Sequence, residues 1–116
     1  MKSITKKAAL AALLIALSSS AMAGGVVTAT IYRIYVNAVT GLVLVKVNGT
    51  VTGRPACATS TSWDFGMTLP TTTSPVRDTL ALLMTAHVAT RSVTFTGSGT
   101  CTAYSTSEDI TNSYMY

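Results

Sequence analysis

Two cysteines limit what this chain can fold into more than any other feature. Cys57 and Cys101 are its only cysteines, 44 positions apart. The one segment with strong helix signals lies between them. Pro55 to Cys101 therefore reads as strand, helix and strand, closed by a disulfide. A bridge over a loop of that length stabilises by about 4 kcal/mol, through the entropy it removes from the unfolded chain. Free thiols or an intermolecular pair are the alternatives. With no histidine close to either sulfur in sequence, the two make a poor zinc site.

The first 23 residues read as an export leader. Lys2, Lys6 and Lys7 precede an apolar run from Ala8 to Leu17, and Ala21-Met22-Ala23 has the small-x-small form of a cleavage site. The run is too short to span a bilayer, which takes about 20 residues. Cleavage after Ala23 leaves one domain, residues 24–116, with no transmembrane segment. The leader is of bacterial type, so the expected destination is the periplasm or the medium, an oxidising place that suits a disulfide. Three of the eight basic residues leave with it; five then face four acidic ones, a net charge of +1. Arg33, Arg54, Arg77 and Arg91 are scattered, so charge gives no ground for nucleic-acid binding.

The segment from Gly24 to Val36 is rich in Val, Ile, Thr and Tyr and reads as a first strand. A bulge near Tyr32-Arg33 would bring Ile31 and Ile34 to one face. Asn37 to Gly41 is a turn. Leu42 to Val47 is a second strand, apolar almost throughout. Asn48-Gly49 is a strong turn signal, and Ala56 to Ser60 reads as a third strand carrying Cys57. Gly66 to Ser74 reads as an exposed loop. Ser74-Pro75 starts a helix, serine as N-cap and proline at the first helical position. Val76, Leu80, Leu83, Met84 and His87 form its apolar stripe. Ser92 to Thr96 alternates, with Val93 and Phe95 inward. Gly97-Ser98-Gly99 lacks the lysine of a phosphate loop and reads as a bend that delivers Cys101 to Cys57. Ile110, Asn112, Tyr114 and Tyr116 alternate as a final strand.

The expected fold is β-rich α+β: a five-stranded OB-fold-like barrel with one helix between strands 3 and 4 and one disulfide, Cys57–Cys101. An open α+β sheet is the rival. Ala56-Cys57-Ala58-Thr59-Ser60, Trp63, the Leu80–Leu83 helix and Arg91-Ser92-Val93-Thr94-Phe95 together resemble the OB-fold B subunits of bacterial AB5 toxins, of the subtilase cytotoxin type. The resemblance covers about half of residues 24–116. It implies a pentameric ring, and several members of that group bind sialylated glycans. Only Gly24-Gly25 stands before the first strand, where that type has a Tyr/Ser-rich segment belonging to its sugar pocket, so its sugar site does not transfer residue by residue. Gly97 to Cys101 with Glu108 is also similar to small exported bacterial proteins that share this core.

No catalytic or metal set emerges from one histidine and four carboxylates with no evident convergence, and no cofactor is expected. The chain reads as an exported, non-enzymatic binding protein for a glycan or a protein. Trp63, Asp64, Tyr104 and Glu108 are its candidate contacts, followed by Arg33 and Tyr35. Trp63 either stacks on a ligand or caps the barrel beneath a loop. Adjacent acids such as Glu108-Asp109 are otherwise expected to be solvated. The second reading is a structural or assembly subunit, a homo-oligomer joined through Tyr114 and Tyr116.

Overall fold

The computed structural model describes residues 24–69 and 75–116. The expected leader, Pro70 and the Ser74 cap lie outside the described residues. Six strands and one helix follow in the order β1 (Val26–Ala29), β2 (Ile31–Val36), β3 (Leu42–Val47), β4 (Phe65–Thr68), α1 (Pro75–Ala89), β5 (Val93–Gly97) and β6 (Glu108–Met115). They form one sheet, ordered β1-β5-β6-β4-β3-β2. Every pairing is antiparallel except β4 with β6. The two edge strands, β1 and β2, are separated only by Thr30, so the sheet curls into a half-barrel.

The strand count is six, not five. The expected first strand breaks at Thr30: β1 pairs with β5 and β2 with β3, so one run of chain serves both edges. The bulge does occur. The β2–β3 register shifts between Ile31 and Arg33, which leaves Tyr32 over and turns Ile31 and Ile34 to the core.

The expected third strand is also corrected. Ala56 to Ser60 is a turn, with Ala58 N–H donating to Pro55 O and Thr59 N–H to Cys57 O. The strand is Phe65–Thr68, in the segment read as a loop. Phe65 and Met67 point inward, and Gly66, opposite Leu44, has no side chain to place. The helix therefore follows the fourth strand rather than the third.

Buried Val27, Ala29, Ile31, Val43, Val45, Val47, Phe65, Leu83, Ala86, Val93 and Phe95 form the core. Phe65 and Phe95 stack at its centre, their rings 5.2 Å apart. The helix turns Leu83 and Ala86 into this core, with Val76, Leu80 and Leu82 at its border. Met84 and His87, expected on the inner stripe, are exposed. His87 Nδ1 still lies 3.0 Å from Ile31 O and so touches the sheet at the edge of the helix footprint. No helix among the described residues is long and apolar enough to cross a membrane.

Cys57 and Cys101 are joined, with their Cα atoms 6.1 Å apart. The bridge links two irregular segments, the turn after Pro55 and the bend after Gly99.

The helix ends in a Schellman motif. Arg91 N–H donates to Ala86 O at 2.9 Å and Thr90 N–H to His87 O at 3.3 Å. The motif needs a left-handed residue, and here that is a threonine, Thr90, at φ 54°. A β-branched side chain in that region is strained by about 1–2 kcal/mol. Thr90→Gly should therefore raise the free energy of unfolding by about 1 kcal/mol, as measured by urea denaturation; a lower midpoint would contradict the strain.

Candidate functional site

The continuous apolar run of β3 gives the site its floor. Val43, Val45 and Val47 face the core. Leu44 points to the opposite face and is still only 3 % exposed. Something must cover it from outside. The register sets a row across the sheet: Tyr35 on β2, Leu44 on β3, Gly66 on β4 and Asp109 on β6 are successive partners. At Gly66 a Cβ would approach Leu44 Cδ2 to 3.3 Å and Tyr104 Cβ to 3.6 Å. The missing side chain makes the dip that Leu44 and Tyr104 share.

Three aromatic residues surround this floor. Tyr35, Leu42, Leu44, Trp63 and Tyr104 line a shallow cleft of about 210 Å³. The Tyr35 and Trp63 rings are 5.9 Å apart and tilted by 48°. Arg33 stands two residues before Tyr35 on the same outward face. Its guanidinium carbon lies 4.4 Å from the Trp63 ring centroid, and its Nη2 donates to Ser62 O at 3.1 Å. Such a cation–π contact contributes about 0.5–1 kcal/mol at an exposed site and fixes the ring. Trp63 N–H is held in turn by Ser60 Oγ at 3.1 Å.

Four of the six expected contact residues, Arg33, Tyr35, Trp63 and Tyr104, thus come together around one cleft. The two acids do not join them. Asp64 is 3 % exposed. It accepts from Val47 N–H at 2.9 Å and pairs with Lys46 Nζ at 3.3 Å, with Arg54 Nη1 at 3.8 Å. Lys46 and Arg33 are cross-strand partners, and drawing one to Asp64 and the other to Trp63 keeps two like charges apart. Leu42 and Leu44 line the cleft but were not among the expected residues. The unbroken Leu42–Val47 run was their signal, since an antiparallel strand with one wet face alternates.

Glu108 and Asp109 are not a solvated pair either. Glu108 is buried at 1 % exposure and takes Gly25 N–H on both oxygens, at 2.9 and 3.1 Å, and Gly99 N–H at 2.7 Å. Asp109 gathers the preceding turn. Its carboxylate accepts from Thr100 Oγ1, from Thr102 N–H and Oγ1, and from Ala103 N–H, at 2.6 to 3.0 Å. This turn carries Cys101 and leads to Tyr104. Among the described residues, no three of His, Cys, Asp and Glu gather as a metal-ligand set.

Comparison with known proteins finds no matching family model, no similar curated protein and no similar solved structure.

Burial is the largest single influence on Asp109 and pushes its pKa up. The bonds from Ala103, Thr102 and Thr100 together outweigh it and hold the carboxyl below its ordinary 3.8. A folded-state pKa below the unfolded one stabilises above the unfolded value, and that stability is lost as pH falls through the folded value. Asp109→Asn should therefore be less stable than the parent at pH 6 in urea, with the gap closing as pH drops below about 3.8. An equal gap at pH 6 and pH 2.5 would mean that the charge of Asp109 contributes nothing.

Proposed function

We propose that this chain is an exported, non-enzymatic binding module that holds a glycan in the Tyr35–Trp63–Tyr104 cleft. The observation that carries this reading is the aromatic wall itself. Two tyrosines and a tryptophan stand partly open to solvent over a Leu44 floor, with Arg33 seated on the tryptophan. Carbohydrate recognition uses ring faces for the apolar sugar surface and polar groups for hydroxyls. Tyr104 and Tyr35 offer phenolic hydroxyls, and Arg33 offers unused N–H donors.

The strand order supports an OB-type barrel beneath the cleft. If β1 and β2 are counted as one strand bent at Thr30, the order becomes 1-2-3-5-4-1, with the third and fifth strands parallel and the helix between the third and fourth. OB barrels bind on a strand face and its adjoining loops. In this reading the protein is a relative in kind of the B subunits of bacterial AB5 toxins, working as a homo-oligomer, with the periplasm or the medium as its destination. A pentameric mass by light scattering would favour it; a monomer would remove multivalent display.

A glycan array is the direct test. Trp63→Ala, with unchanged circular dichroism, should weaken binding at least tenfold, about 1.4 kcal/mol. If the parent protein binds no glycan, the sugar reading fails and a protein ligand takes its place.

A second reading is that the protein is an assembly subunit joined through its C-terminal end. Tyr114 and Tyr116 are exposed with their rings 5.6 Å apart, and Arg91 Nε donates to Tyr116 O at 2.6 Å, which gives the pair a fixed shape. Tyr114 pairs with Thr94 on β5, so deleting the end would damage the sheet. The double change Tyr114→Ser with Tyr116→Ser keeps the backbone and should lower the oligomeric mass; an unchanged mass argues against this contact.

A further inference from the structure

We propose that cleavage between Ala23 and Gly24 delivers the new α-ammonium of Gly24 to the buried carboxylate of Glu108, and that this ion pair completes the fold. The proposal rests on the reading of residues 1–23 as a leader, but its charge partner comes from geometry alone.

Glu108 enters the sheet on β6 and is almost fully enclosed. Its surroundings are backbone. A Cβ on Gly97 would collide with its carboxyl group, and one on Gly25 would come to 2.6 Å from Oε1. Both glycines exist to leave room for it. A carboxylate has about four acceptor positions, and Gly25 and Gly99 N–H groups fill three. No lysine or arginine pairs with it among the described residues; Lys46 and Arg54 are held at Asp64. A buried carboxylate without a counter-charge is expensive.

Gly24 is placed to supply that charge. A Cβ on Gly24 would stand 3.9 Å from Glu108 Oε2 and 2.7 Å from Gly97 O. The next amide in the chain already bonds the carboxylate. The α-nitrogen of Gly24 is attached to the same Cα, so rotation about its ψ bond swings it towards Oε2 and Gly97 O. Before that rotation a side chain on Gly24 would collide with Gly97 O, so the uncut chain needs glycine here. In the uncut chain that nitrogen is a neutral amide with one hydrogen. Hydrolysis by water breaks the Ala23 C–N bond, leaves the oxygen on Ala23 as carboxylate and gives Gly24 an amine, which takes up a proton at neutral pH. The donor count rises from one to three, and a full positive charge appears beside Glu108.

Few other titratable groups lie near. β1, β5 and residues 51–53 have none. Asp109, next to Glu108, is turned to the Thr100–Ala103 turn.

The full chain should be exported from a bacterial host and its product weighed. A mass beginning at Gly24 supports the proposal. Any other terminus overturns it at the leader, without bearing on Glu108. On the Gly24 product, the Gly24 Cα shift is followed by NMR against pH. The amine should titrate above the ordinary α-amino value of about 7.7, and in Glu108→Gln it should return to that value. Because its folded pKa is raised, the stability from the pair is present below the unfolded value and is lost as pH rises through the folded one. Should Glu108→Gln fail to fold, selective acetylation of the α-amine of the processed protein, with Lys46 confirmed unmodified by mass spectrometry, removes the charge. The acetylated form should melt at least about 4 °C lower at pH 6.5, and the difference should vanish at pH 10. An amine that titrates at or below 7.7, or an acetylated chain that melts with the parent at pH 6.5, overturns the ion pair.

Discussion

The structure depends on one enclosed carboxylate. Glu108 binds the amide at the start of β1 and the amide of the Gly97–Gly99 bend. Without it β6, the start of β1 and the bend have no shared centre. β1 is only four residues long and is a sheet edge, the kind of element that frays. The carboxylate fastens it from one side, while the β5 ladder and the Val26–Thr52 bridge hold its length. The glycines around Glu108 follow from this arrangement. They permit backbone to approach a carboxylate closely enough that N–H groups replace water.

The same economy governs the other acids. The chain has four acidic residues, and three serve to close its own loops. Asp64 caps the end of β3 and gathers Lys46 and Arg54. Asp109 organises the turn after Gly99. Asp78 sits in the first turn of α1, where the helix dipole favours it. Among the described residues, the basic side chains left facing solvent are Arg33, Arg77 and Arg91, and of these only Arg33 borders the aromatic cleft. The candidate site is therefore bordered by a cation, not an acid.

Local rules made much of this fold legible. The Val/Ile/Thr/Tyr run, the β2 bulge, the Asn48-Gly49 turn, the helix from Pro75 and the alternation around Phe95 each follow from a few adjacent residues. The disulfide was legible because only one intramolecular pairing exists. The errors have non-local causes. Phe65–Thr68 looked like loop because Gly66 is a poor strand residue on its own, and its reason is Leu44 on the neighbouring strand. The break at Thr30 arises because one stretch must pair with β5 and then with β3. Glu108 looked solvated because its partners, Gly25 and Gly99, are backbone donors with no side-chain signature. In the cleft, Trp63, Tyr35, Tyr104 and Arg33 were visible as residue types. Adjacency to Trp63 suggested a shared surface for Asp64, whereas its carboxylate turns to Val47 N–H, Lys46 and Arg54.

The closures and the cleft are also one mechanical unit. Trp63 lies on the segment after Cys57, and Tyr104 on the segment after Cys101, so the disulfide joins the two walls of the cleft through their own backbones. Ser60 N–H donates to Thr106 O at 3.0 Å, and Ser107 Oγ donates to Trp63 O at 3.3 Å, which repeats the tie beyond the bridge. Tyr104 is pinned by its own bridge to Ser107, one residue before Glu108. Rings on free loops would lose side-chain and backbone entropy on binding, about 0.5–1.5 kcal/mol for each ordered side chain. Here that ordering is complete when the chain has folded. A ligand of the proposed kind would gain little buried area in so shallow a cleft, so its affinity would have to come from walls that are already in place. The acids that hold the loops thus fix the walls of the cleft without lining it.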